Sequence, residues 1–366
     1  MKPQTLDKRF SIEDLRVFSE QVFALHGFSE EDASLAASLL TRADLRGIDS
    51  HGIARLSGYV RLIQAGRLNP KPRLRFESKF PTLGLLHADQ AIGFIAGCSA
   101  MEKCIEMANN YGCGMVAVRN SNHFGIAGQY ALMAAEKGLA GFAFTNASPL
   151  VAPSNSTSRM LGTNPIAAAF PALNSKPFVL DMATTTAANG KLEILQRKKE
   201  EAPSGWIQNA SGKSSKNPEE LKKGGALMPL GGDIITGGHK GYGLGSLVDI
   251  LSGVVSGANF GPWVPPFVSF LPLPEDPVGE GIGHFFIAFR PDGFMDLSDY
   301  QNRMENWMTA MRNSAKSGTG DVLVAGDPEW QAEEDRRQNG IPLHEEVIND
   351  LRLLADEMAI KPSFLS

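Results

Sequence analysis

The chain has 366 residues, 35 Lys+Arg against 40 Asp+Glu for a formal net charge of −5, and is 43% hydrophobic. That length holds roughly two domains at about 150 residues each, and the composition belongs to a globular protein, not a disordered one. The mild acidity argues against nucleic acid as a partner, which would need a basic face. With no apolar run of about 18 residues, no membrane span is expected.

Three cysteines, Cys98, Cys104 and Cys113, are too few and wrongly spaced for a disulfide framework or a zinc site. Cys98 and Cys104 fall in a helical pattern and read as small buried apolar residues. The opening stretch MKPQTLDKRFSIEDLRVF is charged throughout and has no apolar signal core, so a cytoplasmic protein is expected.

In chain order, Ser11 followed by Asp14 predicts a capped helix with Leu15, Phe18, Val22 and Leu25 on one stripe. Ser29 and Asp32 repeat the signal ahead of Ala33, Ala36, Leu39, Leu40 and Ala43. After the polar hinge Asp49-Ser50-His51-Gly52, a third helical pattern runs from Ile53 towards Ile63. From about 78 short apolar runs alternate with helical ones: 82–87, a helix over 96–110, 114–118, a helix over 126–137, then 140–145, 166–170 and 178–181. That is mixed α/β without clean βαβ repetition.

Residues 199–236 read as a long surface excursion, 244–257 as an apolar helix, the proline-rich 258–282 as loop and 285–289 as a strand. Leu297–Arg312 is an amphipathic helix whose Met304, Trp307, Met308 and Met311 read as core. A last helix begins near His344. The expected division is a helical part, 1–77 with 297–366, and a mixed-sheet domain over 78–296.

Chemistry concentrates in a few places. His26 ends a helix, His344 starts one at the surface, and His87 and His284 flank strands, so structural accounts suffice for these four. His51 differs. With Ser50, Arg55 and Tyr59 it gathers a hydroxyl, an imidazole, a fork-shaped cation and a phenol, if the segment after it is helical. Such a set suits an anionic substrate whose oxygen changes protonation state, because Arg matches a carboxylate bidentately.

A capping Ser50 and an Arg55 pairing with Asp49 would explain the same residues structurally. His123 stands in Asn120-Ser121-Asn122-His123-Phe124-Gly125, a polar loop directly after a strand. Gly237–Gly245 runs into the apolar helix, and its N–H groups with Lys240 make an anion cradle. It is neither a Walker A loop nor a G-x-G-x-x-G fingerprint, so a conventional Rossmann fold is not expected.

Taken together, DSHGIARLSGY (49–59), NSNHFG (120–125), LGTNP (161–165), DMATT (181–185), GHKGYGL (238–244), AGDPEW (325–330) and GIPL (340–343) are ordered as in one family. The chain resembles the malate/L-lactate dehydrogenase family of NAD(P)-dependent oxidoreductases that lack the Rossmann fold. Relatives there include ureidoglycolate, sulfolactate and 2,3-diketogulonate oxidoreductases and cyclic-imine reductases. The resemblance implies an α/β fold of its own, with a large mixed-sheet nucleotide domain and a helical substrate and dimerisation part drawn from both chain ends, assembled as a homodimer.

By the same resemblance, His51 and His123 match catalytic histidines, while Ser50, Arg55, Tyr59 and Thr163 match substrate-site residues. Asp181, Met182 and Ala183, then His239, Lys240 and Gly241, then Gly326, Asp327 and Pro328, match nucleotide contacts. Relatives often carry Asp where Ser148 stands. A carboxylate repels a 2′-phosphate and serine does not, so with Arg159 nearby NADP is slightly favoured over NAD. Asn189 stands where relatives often have Arg.

The reaction implied is hydride transfer between NAD(P)H and a 2-oxo or 2-hydroxy acid, malate/oxaloacetate first and lactate-like acids next. Arg55 clamps the carboxylate, and His123 is favoured as acid/base with His51 as partner or substitute. Reduction of a cyclic imino acid is the alternative chemistry, and a non-catalytic nucleotide sensor the alternative class.

Overall fold

The computed structural model describes residues 8–365, which divide into two compact units: one from the two chain ends, up to Lys71 and from Asp327 onward, and one spanning Pro72–Gly326. The first unit opens with β1 (Lys8–Phe10), α1 (Ile12–Leu25) and α2 (Glu30–Leu45). Both predicted caps are present: Ser11 Oγ accepts from the Asp14 N–H at 3.0 Å and Ser29 Oγ from the Asp32 N–H at 3.1 Å. α1 buries Leu15, Phe18, Val22 and Phe23, and α2 buries a stripe of Ala33, Ala36, Ala37 and Leu40. A single 3₁₀ turn over Ile53–Arg55 then leads into α3 (Leu56–Gln64).

The second unit runs β2 (Arg75–Phe80), β3 (Leu83–His87), α4 (Gly93–Tyr111), β4 (Cys113–Ser121), α5 (Gly128–Ala135), β5 (Ala140–Thr145), β6 (Ile166–Phe170) and β7 (Phe178–Met182). It continues with α6 (Asn189–Lys198), β8 (Ile207–Gln208), β9 (Ser214–Ser215), β10 (Ala226–Leu227), α7 (Gly238–Asp249), β11 (Ile282–Phe289) and α8 (Leu297–Arg312). Seven strands form one sheet in the order β2-β3-β4-β11-β5-β6-β7. Only the β3–β4 pair is parallel. The mixed α/β class with a large mixed sheet is therefore borne out.

Strand alternation gives this sheet two buried faces. Val116, Val118 and Phe286 point one way, towards α4 and α5, with Phe286 edge-on to Tyr130. Ala117, Phe144 and Phe285 point the other way and pack with Val248 of α7 and with Leu251. Cys98 and Cys104 are buried in α4, as their helical spacing predicts.

Several expectations need correction. The 199–236 excursion is not merely surface: β8, β9 and β10 make a small sheet, and Ala202, Ile207, Leu221 and Leu227 share a core with Leu150, Val151, Leu161 and Leu192. The methionine and tryptophan stripe of α8 buries only Met308, while Trp307 and Met311 are 46% and 41% exposed. α8 belongs with the sheet unit, since Tyr300 donates to the Pro171 carbonyl at 3.1 Å and Trp307 meets Phe178 edge-on. The return to the first unit thus falls at Asp327, not at 297.

That return adds α9 (Asp327–Asn339), β12 (Ile341–Leu343) and α10 (Glu345–Glu357). β12 pairs antiparallel with β1, Ile341 opposite Phe10. α9 buries no residue and is tied to α2 by Arg46, which pairs with Glu333 at 3.2 Å and lies 4.1 Å over the Trp330 ring. Among the described residues no helix is long and apolar enough to cross a membrane.

Candidate active site

In the end-to-end unit, the site residues sit on the hinge between α2 and α3. Asp44, on the buried face of α2, is 1% exposed, and its Oδ2 accepts from the Ile53 N–H at 2.7 Å. Burial pushes this carboxyl well above the usual carboxylate range, against the pull of that N–H. Gly52 makes the contact possible, because a Cβ there would lie 2.0 Å from Asp44 Oδ1. Arg336 of α9 pairs with Asp49 and donates to the Asp44 carbonyl oxygen, fixing the hinge from outside.

On this frame Ser50 Oγ lies 2.8 Å from His51 Nδ1, and Arg55 Nε donates to the Ser50 carbonyl at 2.6 Å. Three of the four expected groups are therefore joined directly. Burial, helped by the Arg55 charge, pulls the His51 pKa down to about 4, so the ring is neutral at pH 7. Tyr59 is fully buried, its ring 6.4 Å from that of Phe23, and burial holds its phenol far above the ordinary value. The hinge pairs a fixed guanidinium with a neutral imidazole and a hydroxyl. Chemically, such a set is suited to a carboxylate with a neighbouring oxygen to hydrogen-bond. Asp49, the partner that a purely structural account gives Arg55, pairs with Arg336.

In the sheet unit, His123 stands in the loop that leaves β4. Its Nδ1 accepts a long 3.4 Å hydrogen bond from the Gly125 N–H, and its ring lies 4.7 Å from Phe267. Phe267 comes from the proline-rich segment, and its N–H donates to Ser148 Oγ at 2.9 Å. Ser148 thus secures the segment that covers one side of His123. No local pattern in the sequence singles out Phe267.

The two compact turns pack on each other. Thr184 donates N–H and hydroxyl to the Thr163 carbonyl at 2.9 and 3.1 Å, and Asn164 Nδ2 donates to Gly245 of α7 at 3.0 Å. Asp181 Oδ2 accepts from the Gly128 N–H at 2.7 Å, at the start of α5, while Met182 and Ala183 are half-buried. α7 is preceded by Gly237 at the N-cap position, whose φ of 101° lies in the left-handed region, and it has no side-chain cap.

His239 and Lys240 are exposed in that first turn, and Gly241 packs so closely on Leu230 that a Cβ would come within 2.3 Å of its carbonyl. An uncapped helix start beside an exposed lysine fits the phosphates of a dinucleotide. Arg159 is used differently from the expectation: Nε donates to the Gly225 carbonyl at 2.7 Å and Nη2 to that of Leu221. It holds the excursion down. Gly326 closes the sheet unit, and Asp327 and Pro328 start α9 in the other.

Asp44 was the residue sequence reasoning missed, although an acidic residue on an otherwise apolar stripe is a visible signal. A family model described as malate/L-lactate dehydrogenase matches residues 10–352. The chain is 42% identical over 355 residues to a protein named malate dehydrogenase from Pyrococcus abyssi, covering 96% of each. It is 33% identical to one named L-sulfolactate dehydrogenase from Methanocaldococcus jannaschii, covering 98% of this chain and 97% of that one. Its structure superposes on that of malate dehydrogenase from Pyrococcus horikoshii with a TM-score of 0.88 at 36% identity, covering 98% of each. The seven ordered motifs and these three likenesses agree, and the chain belongs to the malate/L-lactate dehydrogenase family.

Proposed function

We propose that the protein is a nicotinamide-dependent 2-hydroxy-acid dehydrogenase acting on malate/oxaloacetate. The observation that carries this is the hinge, where Arg55 is locked by the Ser50 carbonyl beside a Ser50–His51 pair. Arg55 binds the substrate carboxylate through charge-assisted hydrogen bonds and so fixes the neighbouring carbon. The bound nicotinamide supplies or accepts the hydride. His123 donates a proton to the oxygen of the reduced carbonyl and takes it back in the oxidative direction.

His51 is the weaker proton donor of the two, because a pKa of about 4 leaves it neutral at the working pH. It hydrogen-bonds the substrate oxygen instead. Tyr59 and Thr163 complete the substrate contacts. Lys240, with His239 and Gly241, would hold the phosphates of the cofactor, and Asp181, Met182, Ala183 and residues 326–328 would hold the rest of the nucleotide.

A spectrophotometric panel of oxaloacetate, pyruvate, 3-sulfopyruvate and a cyclic imino acid tests the assignment. Oxaloacetate is expected to give the highest kcat/KM. Preference for the cyclic imine would make the enzyme an imine reductase, and cofactor binding without turnover would make it a sensor. NADP is proposed to be accepted, because Ser148, where relatives often carry Asp, brings no carboxylate to repel a 2′-phosphate. The engagement of Arg159 with two carbonyls gives no support to a preference. kcat/KM is therefore expected to be measurable with both NADPH and NADH, and no turnover with NADPH would refute acceptance.

The chain is further proposed to form a homodimer in a reducing cytoplasm. None of its three cysteines forms a disulfide. Along α7 and the π-helical turn over Ile250–Val254 that continues it, Leu244, Leu247, Ile250 and Val254 are 37%, 49%, 50% and 52% exposed. Their spacing puts them on one ridge, and a second copy covers such a ridge. Leu247→Asp with Val254→Asp is expected to convert a dimer to a monomer by light scattering. Wild-type protein that is already monomeric would refute the dimer.

A further inference from the structure

His284 takes no part in the chemistry proposed above, yet it sits behind the loop that carries His123. It lies in β11, is fully buried, and is flanked in the sheet by β4 and β5. Its Nδ1 is 2.7 Å from Thr145 Oγ1 at the end of β5, and its Nε2 is 2.8 Å from Ser121 Oγ at the end of β4. The Phe124 ring, next in sequence to His123, stacks on the imidazole at 4.7 Å and 15°.

The Thr145 hydroxyl has carbonyls of Asn146 and Gly283 to donate to, at 2.9 and 3.1 Å. Ser121 Oγ likewise has the Asn122 carbonyl to donate to, at 3.5 Å, so the two hydroxyls hold both ring nitrogens whichever of them carries the proton. Burial pulls the imidazole pKa down to about 3, so this arrangement stays neutral and intact across the working pH range. The rest of the loop is pinned by backbone: the His123 carbonyl accepts from Gly93 N–H at 3.2 Å, and the Phe124 carbonyl from the Tyr130 hydroxyl at 2.5 Å.

We infer that His284 is a positioning residue for His123: through Ser121 on one side and Phe124 on the other, it sets the direction in which the loop presents the His123 ring. This rests on the reading of His123 as the acid/base. His123 lies between these two anchors, with Ser121 held at His284 Nε2 and Phe124 stacked on its ring, so the backbone of 121–124 sets the aim of the His123 side chain. Loss of the two hydroxyl contacts releases that backbone, and small displacements of a proton donor cost rate more than affinity.

His284→Phe keeps the stacking and removes both hydrogen bonds. It is expected to lower kcat by about 10–100-fold with substrate KM nearly unchanged, and to move the pH limb of kcat. His284→Gln, which retains one of the two hydrogen bonds, is expected to restore part of the rate. A folded His284→Phe enzyme with unchanged kcat and pH limb would overturn the inference. If that variant does not fold, Ser121→Ala is measured by the same readouts and decides in the same way. His123→Ala is assayed alongside. Unchanged kcat there removes the acid/base reading, whereas a large loss there with wild-type behaviour at His284 removes only the positioning role.

Discussion

Replacing His123 by alanine is expected to lower kcat by about 10²–10⁴, the usual contribution of a placed general acid or base. Carbonyl reduction generates an alkoxide, and its neutralisation needs a proton at the moment hydride arrives. Imidazole suits the task because its reference pKa of about 6.5 lies near neutrality. Of the two candidate rings, His51 is held neutral by burial and by Arg55. The variant should still bind cofactor, which is measured by nicotinamide fluorescence. An unchanged kcat with oxaloacetate would reject the assignment.

Arg55→Met is expected to raise substrate KM and cut kcat/KM by about 30–1000-fold, corresponding to about 2–4 kcal/mol for a lost charge-assisted pair. Methionine fills comparable space, so the effect reads the charge and the donor fork rather than a cavity. Removing the charge also removes the second cause of the low His51 pKa, so that pKa should rise, as followed by NMR titration. An unaffected KM would count against the clamp. The two variants should separate, His123→Ala acting on kcat and Arg55→Met on KM.

Much of the hinge was legible because short-range chemistry writes it. Ser11 and Ser29 cap the helices that their spacing predicts, and Ser50, His51 and Arg55 are neighbours in sequence as well as in space. What could not be read depends on distant partners. β2 has one partly buried residue among six and pairs with β3 on one edge, so it carries no apolar run.

The small sheet over β8, β9 and β10 has strands of two residues each, and its core is completed by Val151 and Leu161 from far upstream. Arg159 shows the same limit. A lone arginine beside polar residues suggests a phosphate ligand, and only the structure reveals carbonyls of Leu221 and Gly225 in its reach. α9 opens on Asp327-Pro328, which reads locally as a turn, although proline is at home in a first helical turn.

The pairing of β1 with β12 has a bearing on how the polypeptide is made. One unit is contiguous, from Pro72 to Gly326, and can complete its sheet while synthesis continues. The other is interrupted: its opening helices emerge first, but their strand partner at Ile341–Leu343 is translated only after the whole of the inserted unit. The segment carrying Arg55 thus waits on the ribosome for Arg336 and β12. Termination between Gly326 and Arg336 leaves a finished sheet unit and an orphaned helical one.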